Sequence, residues 1–147
     1  MHNIETLNKF LKDELSATET YQQALDKLRE DVGASEAEVL TPIYEDHKQA
    51  VSSLQALISR LGGTPCEDSG AWGTWAKIVQ GSANLLGKET ALKALQSGEK
   101  SGAEAYEEAL EESELSSDIH TLIETKLLPA QQAHIRTLDR LLGAETE

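Results

Sequence analysis

The strongest constraint on the fold is an alternating four-three spacing of apolar residues that runs through four long segments of the chain. This spacing places one stripe of side chains along one side of an α-helix and is typical of helices that pack into a bundle. Proline, glycine and β-branched residues are sparse in the same segments, which favours helix over strand. The predicted helices cover residues 4–31, 35–61, 89–112 and 117–142.

The connections between these helices predict how they are arranged. Short connections join the first helix to the second and the third to the fourth, so each pair is expected to form an antiparallel hairpin. The connection over residues 62–88 is long enough to run the length of a bundle, and residues 69–80 within it are predicted to form a short helix. The sequence therefore predicts one all-α domain over residues 1–147, an antiparallel four-helix bundle with a long crossover.

The two halves of the chain resemble each other. "ETYQQAL" at residues 19–25 is echoed by "EAYEEAL" at residues 104–110, and "LTPIYEDH" at 40–47 by "LLPAQQAH" at 127–134. Pro42 and Pro129 lie inside the helical patterns and are each expected to kink a helix or to delay its start. Gly62 and Gly143 are expected to end the second and fourth helices.

Each apolar stripe is polar in its middle. The four helices place Glu14, His47, Glu99 and His134 there, one residue each. Buried carboxylates cost free energy unless something compensates them. Two explanations stay open: a divalent cation, for which carboxylates and imidazoles are ordinary ligands, and a closed hydrogen-bond network without metal.

Further polar residues are predicted to lie in or beside this layer, and they are Glu19, Tyr21, Tyr44, Tyr106 and Gln131. In a metal-free network, all three tyrosines are expected to donate hydrogen bonds to Glu14 and Glu99. Tyr44 and Gln131 stand three residues before the two histidines and so share a helical face with them. Glu19 is closer in depth to His47 than Glu14 is, and it is the alternative to Glu14.

The chain resembles the ferritin-like superfamily and, more closely, a small bacterial ferritin-like family of unknown function. The resemblance is carried by "LNKFLKDELSATETYQQALDKL", "LISRLGGTP" and "GEKSGAEAYEEAL", in that order, and covers nearly the whole sequence. In ferritins and bacterioferritins a glutamate ligand is followed seven residues later by a tyrosine, as Glu14 is by Tyr21. The resemblance also implies that Glu99, His47 and His134 occupy positions of metal ligands.

The chain departs from the di-iron members of the superfamily at two positions. The glutamates that bridge the two irons there correspond to Tyr44 and Gln131 here. We therefore expect at most one iron, zinc or manganese ion, and the sequence does not predict a ferroxidase of the di-iron type. The predicted ligands of that ion are Glu14, His47, Glu99 and His134.

The composition limits the binding partners and the compartment that are expected for this protein. A net charge of −13 argues against nucleic acid and anionic membranes. There is no signal-peptide pattern and no apolar stretch of membrane-spanning length, and the single cysteine, Cys66, suits a reducing compartment, so a cytoplasmic protein is expected. A homodimer is expected by analogy with ferritin-like bundles, and no partner protein is indicated.

Two functions follow from these observations. The first is metal handling or stress protection by an ion bound at mid-bundle. The alternative is a metal-free helical scaffold or interaction module whose buried polar network sets the helix register. No catalytic residues and no organic cofactor are predicted.

Overall fold

The protein is described by a computed structural model that covers residues 2–29, 36–67, 88–112 and 114–146. Three long helices are α1 (His2–Arg29), α2 (Glu36–Arg60) and α3 (Lys88–Leu110). The fourth arm consists of α4 (Ser117–Leu122), a π-helical turn (Ile123–Leu127) and α5 (Leu128–Thr146). The predicted all-α bundle is confirmed, while the short helix predicted in the crossover lies outside the described residues. Within the described ranges no helix is both apolar enough and long enough to cross a membrane.

The helices pair as the short connections predict. The most extensive contacts lie between α1 and α2 and between α3 and α5. Near the start of α1, Asn8 Nδ2 donates to the carbonyl of Thr64, just beyond the end of α2, at 3.2 Å. Near the start of α3, the Gln96 amide donates to Asp139, near the end of α5. Both pairs are therefore antiparallel.

The crossover leaves α2 and α3 parallel. Phe10, in the first half of α1, packs on Tyr106 in the second half of α3 with ring centroids 4.8 Å apart. Tyr21, in the second half of α1, bonds to Glu99 in the middle of α3. Because α1 is thus antiparallel to both α2 and α3, those two helices run in the same direction, as the length of the connection predicts.

The buried apolar residues form two clusters, one towards each end of the bundle. The first cluster contains Ala17, Tyr21, Ala24, Leu25, Leu40, Ile43, Leu92, Leu95 and Leu138. The second contains Leu7, Phe10, Leu11, Leu54, Leu57, Ile58, Tyr106, Ala109, Ile119, Ile123 and Leu127. Between them lies a polar layer of buried residues, namely Glu14, His47, Glu99, Gln131 and His134. The predicted polar interruption of each apolar stripe is therefore a single layer across the bundle.

The two glycines predicted to end helices behave differently. Gly62 has φ +88° and follows α2. The amide of Gly62 donates to the carbonyl of Ser59 at 3.1 Å, and that of Gly63 donates to Ile58 at 2.9 Å, which is the Schellman pattern. Gly143 does not end α5, which continues to Thr146. Its φ is not positive, so nothing in its backbone conformation interrupts the helix.

Neither proline begins a helix, and Pro129 follows a local change of helix type. Pro42 lies within α2, whereas Pro129 follows the π-helical turn by two residues. Because Pro129 has no N–H, it cannot close the α-helical bond to the carbonyl of Thr125. At the end of the turn, the Leu128 amide instead donates to the carbonyl of Ile123. The disturbance predicted at Pro129 is therefore a π-helical turn one helical turn before Gln131.

Candidate metal centre

His47 lies at the centre of the polar layer, between two glutamates. Its Nδ1 is 2.5 Å from Oε1 of Glu14, and its Nε2 is 2.7 Å from Oε2 of Glu99. The imidazole is 1% exposed and Glu99 is fully buried. Three helices thus meet at one ring, since α1 supplies Glu14, α2 supplies His47 and α3 supplies Glu99.

His134 extends the same chain of side chains towards the surface. Its Nδ1 is 3.2 Å from Oε1 of Glu99, and its Nε2 is 2.8 Å from Oδ2 of Asp46. The centroids of the His47 and His134 rings are 4.9 Å apart. Glu99 therefore joins the two imidazoles, and each imidazole turns its second nitrogen to another carboxylate.

Two buried tyrosines complete the layer. The Tyr21 hydroxyl donates to Oε2 of Glu99 at 2.6 Å, and the Tyr106 hydroxyl donates to Oε2 of Glu14 at 2.5 Å. Tyr21 also stacks on His47 with ring centroids 5.3 Å apart. Burial raises the pKa of both tyrosines well above 10, and the adjacent carboxylates raise it further. Both hydroxyls therefore keep their protons and act as donors.

The charges of the layer are set by these contacts. Burial by itself would lower the pKa of His47, but the negative charges of Glu99 and Glu14 raise it well above 6.5. Burial would likewise raise the pKa of Glu99, but His47 and His134 hold it at about 2. Without a metal, His47 is therefore an imidazolium that donates to both glutamates at neutral pH.

Three of the four predicted ligands converge. Ligand atoms of His47, Glu99 and His134 all lie within 4.8 Å of one another, and no other group of this kind occurs among the described residues. Each of these residues is buried. A divalent cation prefers deprotonated nitrogen and oxygen donors such as these, so the residues present fit one ion.

Glu14 lies in the layer as predicted but stands apart from the three converging residues, and its role as a ligand stays a prediction. It is 4% exposed and belongs to the layer, but it contacts the His47 nitrogen that does not face Glu99. Asp46 has the same relation to His134. Histidines that bind metals usually give their second N–H to a carboxylate, which fixes the orientation of the ring. Glu14 and Asp46 are positioned for that role.

Tyr44 and Gln131 stand at the two positions where the resemblance to the superfamily places the bridging glutamates of a di-iron site. The Tyr44 hydroxyl donates to Gln22 at 2.8 Å, and Gln131 Nε2 donates to the backbone carbonyl of Glu99 at 3.2 Å. Neither side chain contributes a negative charge.

The remaining predicted residues divide between layer and surface. Tyr21, Tyr106 and Gln131 are buried in the layer. Glu19 is exposed, so Glu14 and not Glu19 faces the core. Tyr44 is only partly buried and packs against the apolar cluster around Tyr21. The predicted hydrogen bond from Tyr44 to a buried glutamate is wrong, because its hydroxyl donates to Gln22.

Two carboxylates near the layer were not predicted. Asp46 precedes His47 directly, and its contact with His134 depends on the approach of α2 to α5, which no spacing within α2 reveals. Asp13 precedes Glu14 and is partly buried. Burial, followed by the negative charge of Glu14, raises its pKa from 3.8 to about 7.

Comparisons with known proteins agree with this fold. The structure is similar to one described as "Crystal structure of ferritin like, diiron-carboxylate proteins from Bacillus anthracis str. Ames". The TM-score is 0.70 at 23% sequence identity, and the match covers 96% of this chain and 95% of the other. This likeness confirms the ferritin-like bundle. Among curated proteins, none matches the sequence significantly.

The sequence itself also matches a known family. Residues 2–112 match the family described as "Domain of unknown function (DUF2383)", and the match spans α1, α2 and α3. Three of the four buried residues predicted as metal ligands lie inside the matched region. The chain is therefore a member of the DUF2383 family, built as a ferritin-like four-helix bundle.

Proposed function

We propose that the polar layer binds one divalent cation through Nε2 of His47, a carboxylate oxygen of Glu99 and Nδ1 of His134. The observation that carries this proposal is the convergence of these three buried residues to within 4.8 Å. Two imidazoles and one carboxylate are found in both single-iron and zinc sites, and manganese accepts the same donor types. Iron, zinc and manganese are therefore the candidates.

The surroundings of the three ligands support the same proposal. When a cation takes the place of the proton between His47 and Glu99, the other His47 nitrogen keeps its hydrogen bond to Glu14. His134 keeps its hydrogen bond to Asp46 in the same way. Such outer carboxylates raise the basicity of an imidazole and typically change metal affinity by about 10- to 100-fold.

We propose that the site serves metal handling or stress protection. The similar solved structure is described as a diiron-carboxylate protein, which supports metal binding by this fold. We expect fewer bound ions here than in a di-iron site, because Tyr44 and Gln131 stand where the resemblance places the bridging carboxylates. One reversibly held ion fits storage, transfer or sequestration better than di-iron chemistry does.

A metal-free scaffold is the second candidate, and one observation favours it. Within the described ranges, every buried side-chain nitrogen or oxygen has a hydrogen-bond partner. The layer is therefore complete with protons alone, as a register-setting polar network would be.

Metal analysis of tag-free protein separates the two candidates. The protein is stripped with chelator, dialysed against Co(II), Zn(II), Fe(II) or Mn(II), and its metal content and thermal stability are measured. We expect one ion per chain, with loss of that ion in Glu99→Gln and His134→Gln. Matched controls are Glu104→Gln, which is exposed on α3, and His120→Gln, which lies on α4 outside the layer. Wild-type protein that stays metal-free with all four ions would refute the proposal and support the scaffold.

The variant Glu14→Gln tests which carboxylates touch the metal. If Glu14 only orients His47, the glutamine oxygen still accepts the Nδ1–H bond, and affinity falls by about 10- to 100-fold. Stoichiometry stays at one ion per chain. If Glu14 is a ligand, as the sequence pattern predicts, the bound ion is lost as fully as in Glu99→Gln.

A further inference from the structure

A cavity leads from the surface between α2 and α5 to the polar layer. It has a volume of about 290 Å³. Its inner wall includes Glu14, His47 and His134, which belong to the layer. Within the described residues, α2 and α5 make few contacts with each other, which leaves room for this cavity between them.

Small side chains keep this gap open. Ala50 and Ser53 line it from α2, and Ala130 lines it from α5. All three residues are partly buried. Towards the two ends of the bundle the layer is closed by the apolar clusters, and Tyr21 and Tyr106 cover it within the bundle.

Charge along the cavity suits a cation. Asp46 lines it, and its side chain is 51% exposed while its carboxylate contacts His134. A hydrated cation arriving from solvent therefore meets one carboxylate before it meets the imidazole behind it. Lys126 also lines the cavity, is exposed, and opposes a cation. Apart from the two histidines of the layer, it is the one basic side chain among the described residues that line the cavity.

We propose that this cavity is the passage by which the divalent cation enters and leaves the buried layer, with Ala130 setting its width and Lys126 limiting the rate of uptake. This inference rests on the proposed function, since it concerns the same ion. It predicts that the rates of exchange can be changed without changing the equilibrium affinity, because neither residue is a proposed ligand.

Stopped-flow kinetics with Co(II) and Zn(II) test the passage. Association is followed on mixing with metal, and release is followed on mixing with excess chelator. We expect Ala130→Leu to slow both by a common factor of about ten or more and to leave Kd unchanged. The control Ala133→Leu makes the same change on α5, at a partly buried position outside the cavity lining, and both rates should stay as in wild type.

A second variant tests whether the charge of Lys126 slows the uptake of the cation. Lys126→Gln removes the opposing positive charge, so association should become several-fold faster at low salt. The gain should disappear at high salt, because screening removes long-range attraction and repulsion. Melting temperatures of all variants verify that each is folded.

The failures of the two proposals are distinguishable. If wild-type protein binds no metal, the proposed function fails and the passage fails with it. If wild-type protein binds one ion and Ala130→Leu exchanges it at the wild-type rates, the passage alone is refuted. A weaker Kd with faster release in Ala130→Leu would also refute it, because that result means that the substitution distorts the site.

Discussion

Asp13 offers the most quantitative test of the electrostatics around the layer. It lies on α1 beside Glu14 and is partly buried. Burial, then the charge of Glu14, raises its pKa from 3.8 to about 7, and Glu99 adds to the rise while His47 opposes it. A pKa that is higher in the folded state stabilises the protein at low pH, and the stabilisation is lost as pH rises through the folded pKa. The affected window therefore runs from 3.8 to about 7.

The expected change in unfolding free energy follows from the rise in the pKa of Asp13. Above the window the ionised Asp13 lowers the unfolding free energy by about 4 kcal/mol relative to a neutral side chain of the same shape. At about pH 5 the same comparison gives about 2 kcal/mol, because the folded protein then still holds the proton. Asp13→Asn should therefore be more stable than wild type, and its advantage should grow by about 2 to 3 kcal/mol between about pH 5 and about pH 8.

Urea denaturation of chelator-treated protein measures both quantities. Unfolding free energies of wild type and Asp13→Asn are compared at several pH values, and the shared titration of other groups cancels in the difference. Asp26→Asn is the control, because Asp26 is exposed on the same helix. It should change stability by no more than about 0.5 kcal/mol at any pH. If the unfolding free energies of wild type and Asp13→Asn change with pH in parallel, the raised pKa of Asp13 is refuted.

Three further predictions concern the metal and three glycines. Binding of one divalent cation at neutral pH should release about one proton, from His47, which calorimetry in buffers of different ionisation enthalpy detects; a heat independent of buffer would contradict this. In urea denaturation, Gly102→Ala should be less stable than Gly143→Ala by about 1 to 2 kcal/mol. A Cβ at Gly102 meets the Gln131 amide, whereas one at Gly143 meets nothing within 4 Å. Equal changes in unfolding free energy would rule out the close approach at Gly102. Gly62→Ala should cost about 1 kcal/mol in the same assay because its φ is +88°, and an unchanged midpoint would show that the turn relaxes.

The fold and the polar layer could be predicted because both appear as periodic patterns in the sequence. Helical periodicity marks which side of each helix is buried, and a polar residue inside that period marks a break in the apolar core. Glu14, His47, Glu99 and His134 were found in this way, and each is at most 4% exposed. Counting residues from the helix ends left Glu19 as an alternative, because depth along a helix does not show the direction of a side chain.

Contacts between helices were not predictable to the same degree. The bond from Asp46 to His134 joins two helices that are 88 positions apart in sequence at this point, and Asp46 lies beside the buried stripe and not in it. The role of Glu14 depends on which nitrogen of His47 it contacts. Ring orientation is decided by packing from four helices together, so no pattern within one helix records it.

The π-helical turn did leave a trace, in the spacing of buried residues. Ile119, Ile123, Leu127 and Gln131 are all buried and follow one another at intervals of four. In a regular α-helix three such steps would turn the stripe by about 120° away from the core. The π-helical turn at Ile123–Leu127 absorbs this rotation and brings Gln131 and His134 back to the layer. A run of three intervals of four, ending near a proline, indicates such a turn.

The chemistry of the layer explains how one buried site can exist with and without a metal. A buried pair of glutamates needs a positive charge near them, and in the metal-free protein the His47 imidazolium supplies it. Under the proposed function, a divalent cation between His47 and Glu99 would supply this charge instead, and Glu14 would still accept a hydrogen bond from the other nitrogen of the same ring. The proton and the cation would then be alternative sources of the positive charge that the two buried glutamates need.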